Sequence, residues 1–249
     1  MELYKEVFNA ASIYDMLFFN VTGVLEKGDL NNLSEEKYKV WEKLSKGDLS
    51  QEFYQNNAIN YPEFTKIVAI SYATVELENG TLKRKFKKIS NDNEYLVLAT
   101  FFDVLYEISS DTGKAYSLCG DNILSYDVPL LIKRFLVHLE EFSDKKLPAI
   151  LKECLTAKPW DGLIIDTRSV WKFNSLMPSN EFTQDLYCEL MPLKKDIELL
   201  SLVGTSLYYW NSVDMVGYDN SASRLEYLSH QSATKVNLAI QLMNKLRKL

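Results

Sequence analysis

The stretch CGDNILSYDVPLL, Cys119 to Leu131, decides how the rest of the chain is read. It has the make-up of a strand end, a turn and a helix start. Asn122 supplies an amide near the turn, and Pro129 suits the first turn of a helix, where its missing N–H has no partner to lose. Asp127 stands just ahead of that proline. A carboxylate there lies near the positive end of the helix dipole and is expected to stay ionised. Two uses of such an acid are open. The commoner is the cap of an ordinary helix; the other is an acid offered to a metal ion.

Working outward, Tyr14 to Val21 is short, apolar and aromatic, and reads as a buried strand. Residues 24–62 are polar and read as an insertion, in which Ser34 to Lys46 has helical patterning and stops at Gly47. Lys66 to Val75 is a second strand, Asn79-Gly80 a tight hairpin turn, and Thr81 to Lys88 the returning third strand. Asn91 to Ser110 follows as an amphipathic helix with Tyr95, Leu98, Ala99, Phe102, Leu105 and Tyr106 on one face. Asn91 and Glu94 are placed to cap it. Ala115 to Cys119 is a fourth strand, Pro129 to Phe142 a second helix of the core, and Gly162 to Asp166 a fifth strand closing in Asp166-Thr167. From Phe182 onward the pattern is helical and ends in a long helix that includes Ala233 to Leu246. A three-stranded meander followed by two crossover strands predicts an α/β fold: one mixed five-stranded sheet flanked by helices, with a helical C-terminal part. That is the layout of the RNase H-like fold. No Gly, Ser or Pro linker divides residues 1–249, so a single domain is expected.

Composition narrows the function classes. Of 249 residues, 47% are hydrophobic and 25% charged, as in an ordinary globular protein. The net charge of -6 argues against binding nucleic acid by overall charge. Cys119, Cys154 and Cys188 are odd in number and widely spaced, which points to a reducing compartment rather than a disulfide framework. His138 and His230 lie too far apart for zinc-ligand spacing. No signal-like start and no apolar run of membrane length is present, so a cytoplasmic location without membrane contact is expected.

The chain resembles the predicted 3′-5′ exonucleases related to the proofreading domain of family B DNA polymerases, in the DnaQ-like group. The resemblance is spread over LFFNVTGV at Leu17 to Val24, EFTKIVAIS at Glu63 to Ser71 and CGDNILSYDVPLL itself. It continues through KPWDGLIIDTRSVWKF at Lys158 to Phe173 and YLSHQSATKV at Tyr227 to Val236. The resemblance implies a site in which four carboxylates hold two divalent ions roughly 4 Å apart. Two of the four come from an Asp-x-Glu on the first strand, one follows the Asn-containing turn, and one ends a Tyr-x-x-x-Asp on the last helix. Here the strand positions are Asn20 and Thr22, the post-turn acid is present as Asp127, and the helix keeps Tyr227 but has Gln231 in place of the acid. Three of the four carboxylates are replaced by uncharged side chains. Hard cations want anionic oxygens, so the resemblance implies a degenerate exonuclease with no cofactor. Asn20, Thr22 and Gln231 are expected to hydrogen-bond to Asp127 instead. The alternative is an active magnesium- or manganese-dependent 3′-5′ DNA exonuclease with ligands relocated around Asp127, drawing on Asp121, Asp161 or Asp166.

Lys83, Lys85 and Lys87 share one face of the third strand and are the candidate nucleic-acid contacts. An edge strand guarded by lysines is the alternative reading. Tyr208, Tyr209 and Trp210 suit core packing, with base stacking as the other use. The expectation is a catalytically inactive, exonuclease-like module with a structural, protein-binding or nucleic-acid-binding role. Its partner would be an unidentified protein, or single-stranded DNA.

Overall fold

The computed structural model describes residues 12–110, 116–143, 145–156, 163–171, 188–189, 191–214 and 221–247. Strand β1, Met16–Leu25, is buried along its whole length. It runs on to Leu25, into the segment read as an insertion. Strands β2 (Thr65–Glu78) and β3 (Thr81–Ser90) meet at Asn79-Gly80. The φ angles there are 52° and 76°, the left-handed pair that a two-residue hairpin turn requires. Helix α3 is built by Glu94–Ser110 within the core segment, and strand β4 by Ser117–Gly120.

The sheet order is β3-β2-β1-β4, continued by a short β5 at Ile164–Asp166. β1, β2 and β3 are antiparallel neighbours, while β1, β4 and β5 run parallel. The expected α/β class and mixed five-stranded sheet are therefore present. Gly120 must lack a side chain: a Cβ there would stand 2.5 Å from the Phe19 carbonyl oxygen.

In the insertion, helices α1 (Glu35–Leu44) and α2 (Gln51–Asn57) both begin at serine caps. Ser34 Oγ accepts from Lys37 N at 3.3 Å and Ser50 Oγ from Phe53 N at 3.2 Å. The segment is polar on average, yet it has a core of its own. Trp41 meets Tyr54 and Phe64 edge-on, each at 5.4 Å between ring centroids, and Leu25, Leu30 and Ile59 complete the cluster.

After β4 the chain makes one π-helical turn, Ile123–Asp127, entered through Asn122 at φ 60°. It then forms helix α4, Val128–Val137. The expected helix to Phe142 stops at Val137 and continues only as turns. Helices α5 (Ala149–Cys154) and α6 (Thr167–Trp171) are short. Helix α7, Leu202–Asp214, and helix α8, Ser221–Leu246, supply helices of the expected tail, but residues 191–201, also expected to be helical, are turns and irregular chain. Of the expected spans, Ala115, Gly162 and residues 182–187, 190, 215–220 and 248–249 lie outside the described residues.

The alternation of β1 sorts the layers. Leu17, Phe19 and Val21 face α3 and α4, with Phe19 5.3 Å from Phe101. Met16 and Phe18 face α8, among Val236, Ala239, Ile240 and Met243. Among the described residues no helix is long and apolar enough to cross a membrane.

The expected cap of α3 is different. Asn91 Oδ1 accepts from Asn93 N and Asn93 Oδ1 from Tyr95 N, while Glu94 turns inward. Its buried carboxylate accepts from Ile67 N at 2.7 Å, from Arg134 Nε and Nη2 at 2.8 and 2.5 Å, and stands 2.9 Å from His138 Nε2. Burial alone would raise the Glu94 pKa, but hydrogen bonds from His138 and Arg134 outweigh it and keep the pKa below the ordinary value. Arg134→Met removes the guanidinium and leaves that buried carboxylate with only the Ile67 N–H and His138. Urea denaturation should then show a loss of about 3–5 kcal/mol, partly recovered by adding Glu94→Gln.

Candidate functional site

β4 accompanies β1 only as far as the pair Phe18 and Cys119. Beyond it, the backbone of β1 on that side needs other partners, because an unpaired buried N–H is costly. Asp127 supplies one: its carboxyl accepts the Val21 N–H. Asn20 Nδ2 donates to the same carboxyl at 3.3 Å. Further along, Leu25 N donates to Ser206 Oγ at 3.0 Å and Leu25 O accepts from Trp210 Nε1 at 2.9 Å. Both partners lie on α7.

α8 closes the site from the other side. The Ser232 hydroxyl donates to the Asn20 carbonyl at 2.8 Å and accepts from Ser71 N at 3.1 Å, so it stands between β1 and β2. Tyr227 and Gln231 share the stripe of α8 expected from their spacing, and Gln231 Nε2 donates to Tyr227 Oη at 3.1 Å. Gln231 therefore turns to its own helix rather than to Asp127. Thr22 faces α8 alongside Asn20, next to the irregularity at Thr22 and Gly23 in the β1–β2 pairing. Of the three expected hydrogen bonds to Asp127, the one from Asn20 is formed. Asn20 Oδ1 has no hydrogen-bond partner among the described residues. All these positions are closed to solvent: Asp127 is 1% exposed, Gln231 2%, Asn20 5% and Thr22 7%.

Asp127 is not a helix cap. Its backbone is helical, at φ -63° and ψ -49°, and its side chain makes no capping bond. Nor does it stay in the ordinary carboxylate range. Burial pushes its pKa up to about 8, against the opposing pull of Lys235 on α8 and the Val21 N–H, with Asp121 and Asp166 pushing the same way as burial. The sequence expectation of an ionised acid failed because it weighed the helix dipole and not the loss of water.

The spare acids have partners of their own. Asp121 Oδ2 meets Arg168 Nη2 at 2.6 Å. Asp166 accepts from the backbone N–H groups of Asn122, Leu124, Arg168 and Ser169 at 2.9–3.3 Å. Asp161 lies outside the described residues. Among the described residues no three His, Cys, Asp or Glu side chains converge as a metal-binding group. A carboxyl that already accepts several N–H bonds, or one clamped by a guanidinium, presents few lone pairs to a dication. This donor set does not fit a divalent ion.

The lysines of β3 divide between the two faces. The register pairs Tyr72 with Lys87 and Ser71 with Lys88. Lys83, Lys85 and Lys87 therefore point to the α3 side, opposite Asn20. Lys83 pairs with Glu78 at 2.5 Å and Lys85 with Glu76 at 2.7 Å. Lys88 is on the α8 side, where its Nζ is 3.2 Å from His230 Nε2. β3 is an edge of the sheet, the position where lysines discourage strand addition. The aromatic trio packs inward. Tyr209 is buried, with the Arg224 guanidinium 4.2 Å above its ring and its hydroxyl on Asp92 at 2.6 Å; Tyr208 meets Tyr227 at 4.6 Å.

The site residues that sequence reasoning missed are Lys235 and Arg168. Lys235 was legible as the next step of the stripe Tyr227, Gln231, Lys235. Arg168 carried no local signal. No family model matches the chain, and no curated protein sequence matches it.

The raised Asp127 pKa has a defined sign. The stabilising contribution is complete below the unfolded pKa near 3.8 and is lost as pH rises through about 8. Asp166 is shifted in the same direction by burial and by Asp121. Stability should therefore fall between pH 5 and pH 8. Asp127→Asn should flatten that slope by up to about 1.4 kcal/mol per pH unit. Urea titrations at a series of pH values measure it.

Proposed function

We propose that this protein is an RNase H-like, exonuclease-derived module that no longer hydrolyses nucleic acid, and that its former metal site now serves as a structural joint. The observation that carries this reading is the state of Asp127. It is 1% exposed, hydrogen-bonded to Asn20 and to the Val21 N–H, and Lys235 offsets only part of the loss of water that raises its pKa. A substrate phosphate cannot reach a carboxyl so buried while this packing holds. The strand order β3-β2-β1-β4-β5 supports the RNase H-like assignment, as do the motifs quoted from the sequence.

Two-metal hydrolysis needs several ionised carboxylates around the ions. With Asn20, Thr22 and Gln231 uncharged, the set offers one acid, and that acid is shielded. The present role is a binding one. A protein partner is favoured over single-stranded DNA by the net charge of -6 and by the pairing of Lys83 and Lys85 with glutamates. Leu136, Val137 and Leu139, exposed at the end of α4, are apolar surface of the kind an interaction module presents.

Incubation with end-labelled single-stranded DNA and manganese or magnesium should release no nucleotides. Release that Asp127→Ala abolishes would overturn the proposal in favour of relocated ligands. Restoring the acids as Asn20→Asp, Thr22→Glu and Gln231→Asp should lower the melting temperature without metal, since crowded carboxylates repel. An unchanged melting temperature would remove the repulsion argument.

A further inference from the structure

β3 is an edge of the sheet, ten residues long and exposed from Lys83 to Lys88. Among the described residues no strand lies on its outer side. The hairpin sets which of its backbone groups face outward. The two-residue turn pairs Glu78 with Thr81, and a pair that closes such a turn is hydrogen-bonded in both directions. Alternation then turns the N–H and C=O groups of Lys83, Lys85 and Lys87 toward β2, and those of Leu82, Arg84, Phe86 and Lys88 away from it. Asn91 N, which donates to Val68 O at 3.1 Å, keeps the same alternation. The residues with outward backbone groups carry their side chains on the α8 face, where Phe86 is 38% exposed.

The strand holds five cations, Lys83, Arg84, Lys85, Lys87 and Lys88, and no acid. Lys83 and Lys85 are offset by Glu78 and Glu76. Arg84 and Lys88 meet uncharged acceptors instead: Arg84 donates to the Asn237 amide oxygen, and Lys88 Nζ stands 3.2 Å from His230 Nε2. A second copy of β3 laid on this edge would set cation against cation, which destabilises a strand pair. We propose that the outer edge of β3 takes an extended acidic segment of a partner protein as a sixth strand of the sheet. Acidic side chains of the guest stand opposite Arg84 and Lys88, with an apolar one between them against Phe86. Backbone hydrogen bonds supply the affinity of such an added strand, and the alternate side chains select it. Opposite charges facing each other across the pair add to it. The cations of β3 thus keep out like strands, as edge lysines do, while admitting an acidic one. The inference names the partner for the binding role proposed above and rests on that reading.

The test uses the full chain and a fluorescein-labelled peptide, Thr-Glu-Thr-Val-Thr-Glu-Thr. Its glutamates fall opposite Arg84 and Lys88 when its valine meets Phe86. Fluorescence anisotropy should show saturable binding, weakened roughly tenfold by Arg84→Glu with Lys88→Glu. Phe86→Pro removes an outward N–H and no bond to β2, and it should weaken binding about fivefold. Hydrogen exchange followed by NMR reads the geometry directly. The amides of Arg84, Phe86 and Lys88 should gain protection on binding, while those of Lys85 and Lys87, already bonded to β2, should not change. If Phe86→Pro does not fold, this measurement decides. Binding that leaves the three outward amides unprotected is attraction between charges alone and overturns the proposal. So does a lack of binding at about 1 mM peptide, or equal binding of a control peptide with lysine in place of both glutamates. Tighter binding of single-stranded oligothymidylate to the same residues would assign the edge to nucleic acid and likewise overturn it. None of these readouts depends on hydrolysis, so a failure here is distinct from the discovery of nuclease activity.

Discussion

β1 outruns its parallel neighbour, and much of the molecule follows from that mismatch. β4 pairs with it only through Phe18, yet β1 continues, fully buried, to Leu25. Buried backbone groups must find partners. Asp127 takes the Val21 N–H, and Ser206 and Trp210 take the two backbone groups of Leu25. One strand thereby fixes the position of the post-turn acid and docks α7.

The same constraint explains why the pocket is closed. An acid that serves a strand's N–H must sit beside the strand, beneath whatever covers it. α8 packs on the Asn20 face of β1, tied down by Ser232 between β1 and β2 and by Arg224 over the Tyr209 ring. The insertion packs on α7, because its Trp41 core is continuous with Leu202, Val203 and Trp210 of that helix. Burial then removes the water that would keep Asp127 ionised, and Lys235 offsets only part of that loss. Structure and electrostatics point the same way: the group acts as a joint between elements rather than as a ligand facing a cleft.

A second buried ionic group, Glu94 with Arg134 and His138, does related work at the start of α3. It takes the Ile67 N–H as Asp127 takes that of Val21. In both places a carboxyl substitutes for a strand partner and is compensated from a neighbouring helix. The outcomes differ because Glu94 has hydrogen bonds from His138 and from a bidentate Arg134 guanidinium, which together overcome desolvation, whereas Asp127 has a single ammonium charge and two acidic neighbours.

The sequence by itself determined the five strands, the main helices of the core and their order, though not the short helices α2, α5 and α6. Apolar runs marked β1 and β2, Asn79-Gly80 fixed the hairpin, and the stripe on α8 placed Tyr227 with Gln231. These signals are local, since period and turn chemistry act over a few residues. It also showed that Asn20, Thr22 and Gln231 carry no charge. Only the tertiary structure decided what those residues touch. Gln231 turning to Tyr227, Glu94 turning inward rather than capping, and Lys83 and Lys85 lying on the face opposite Asn20 all depend on register and packing across long sequence separations. The raised pKa of Asp127 belongs to the same class, because desolvation is a property of everything packed around a group and not of its neighbours in the chain.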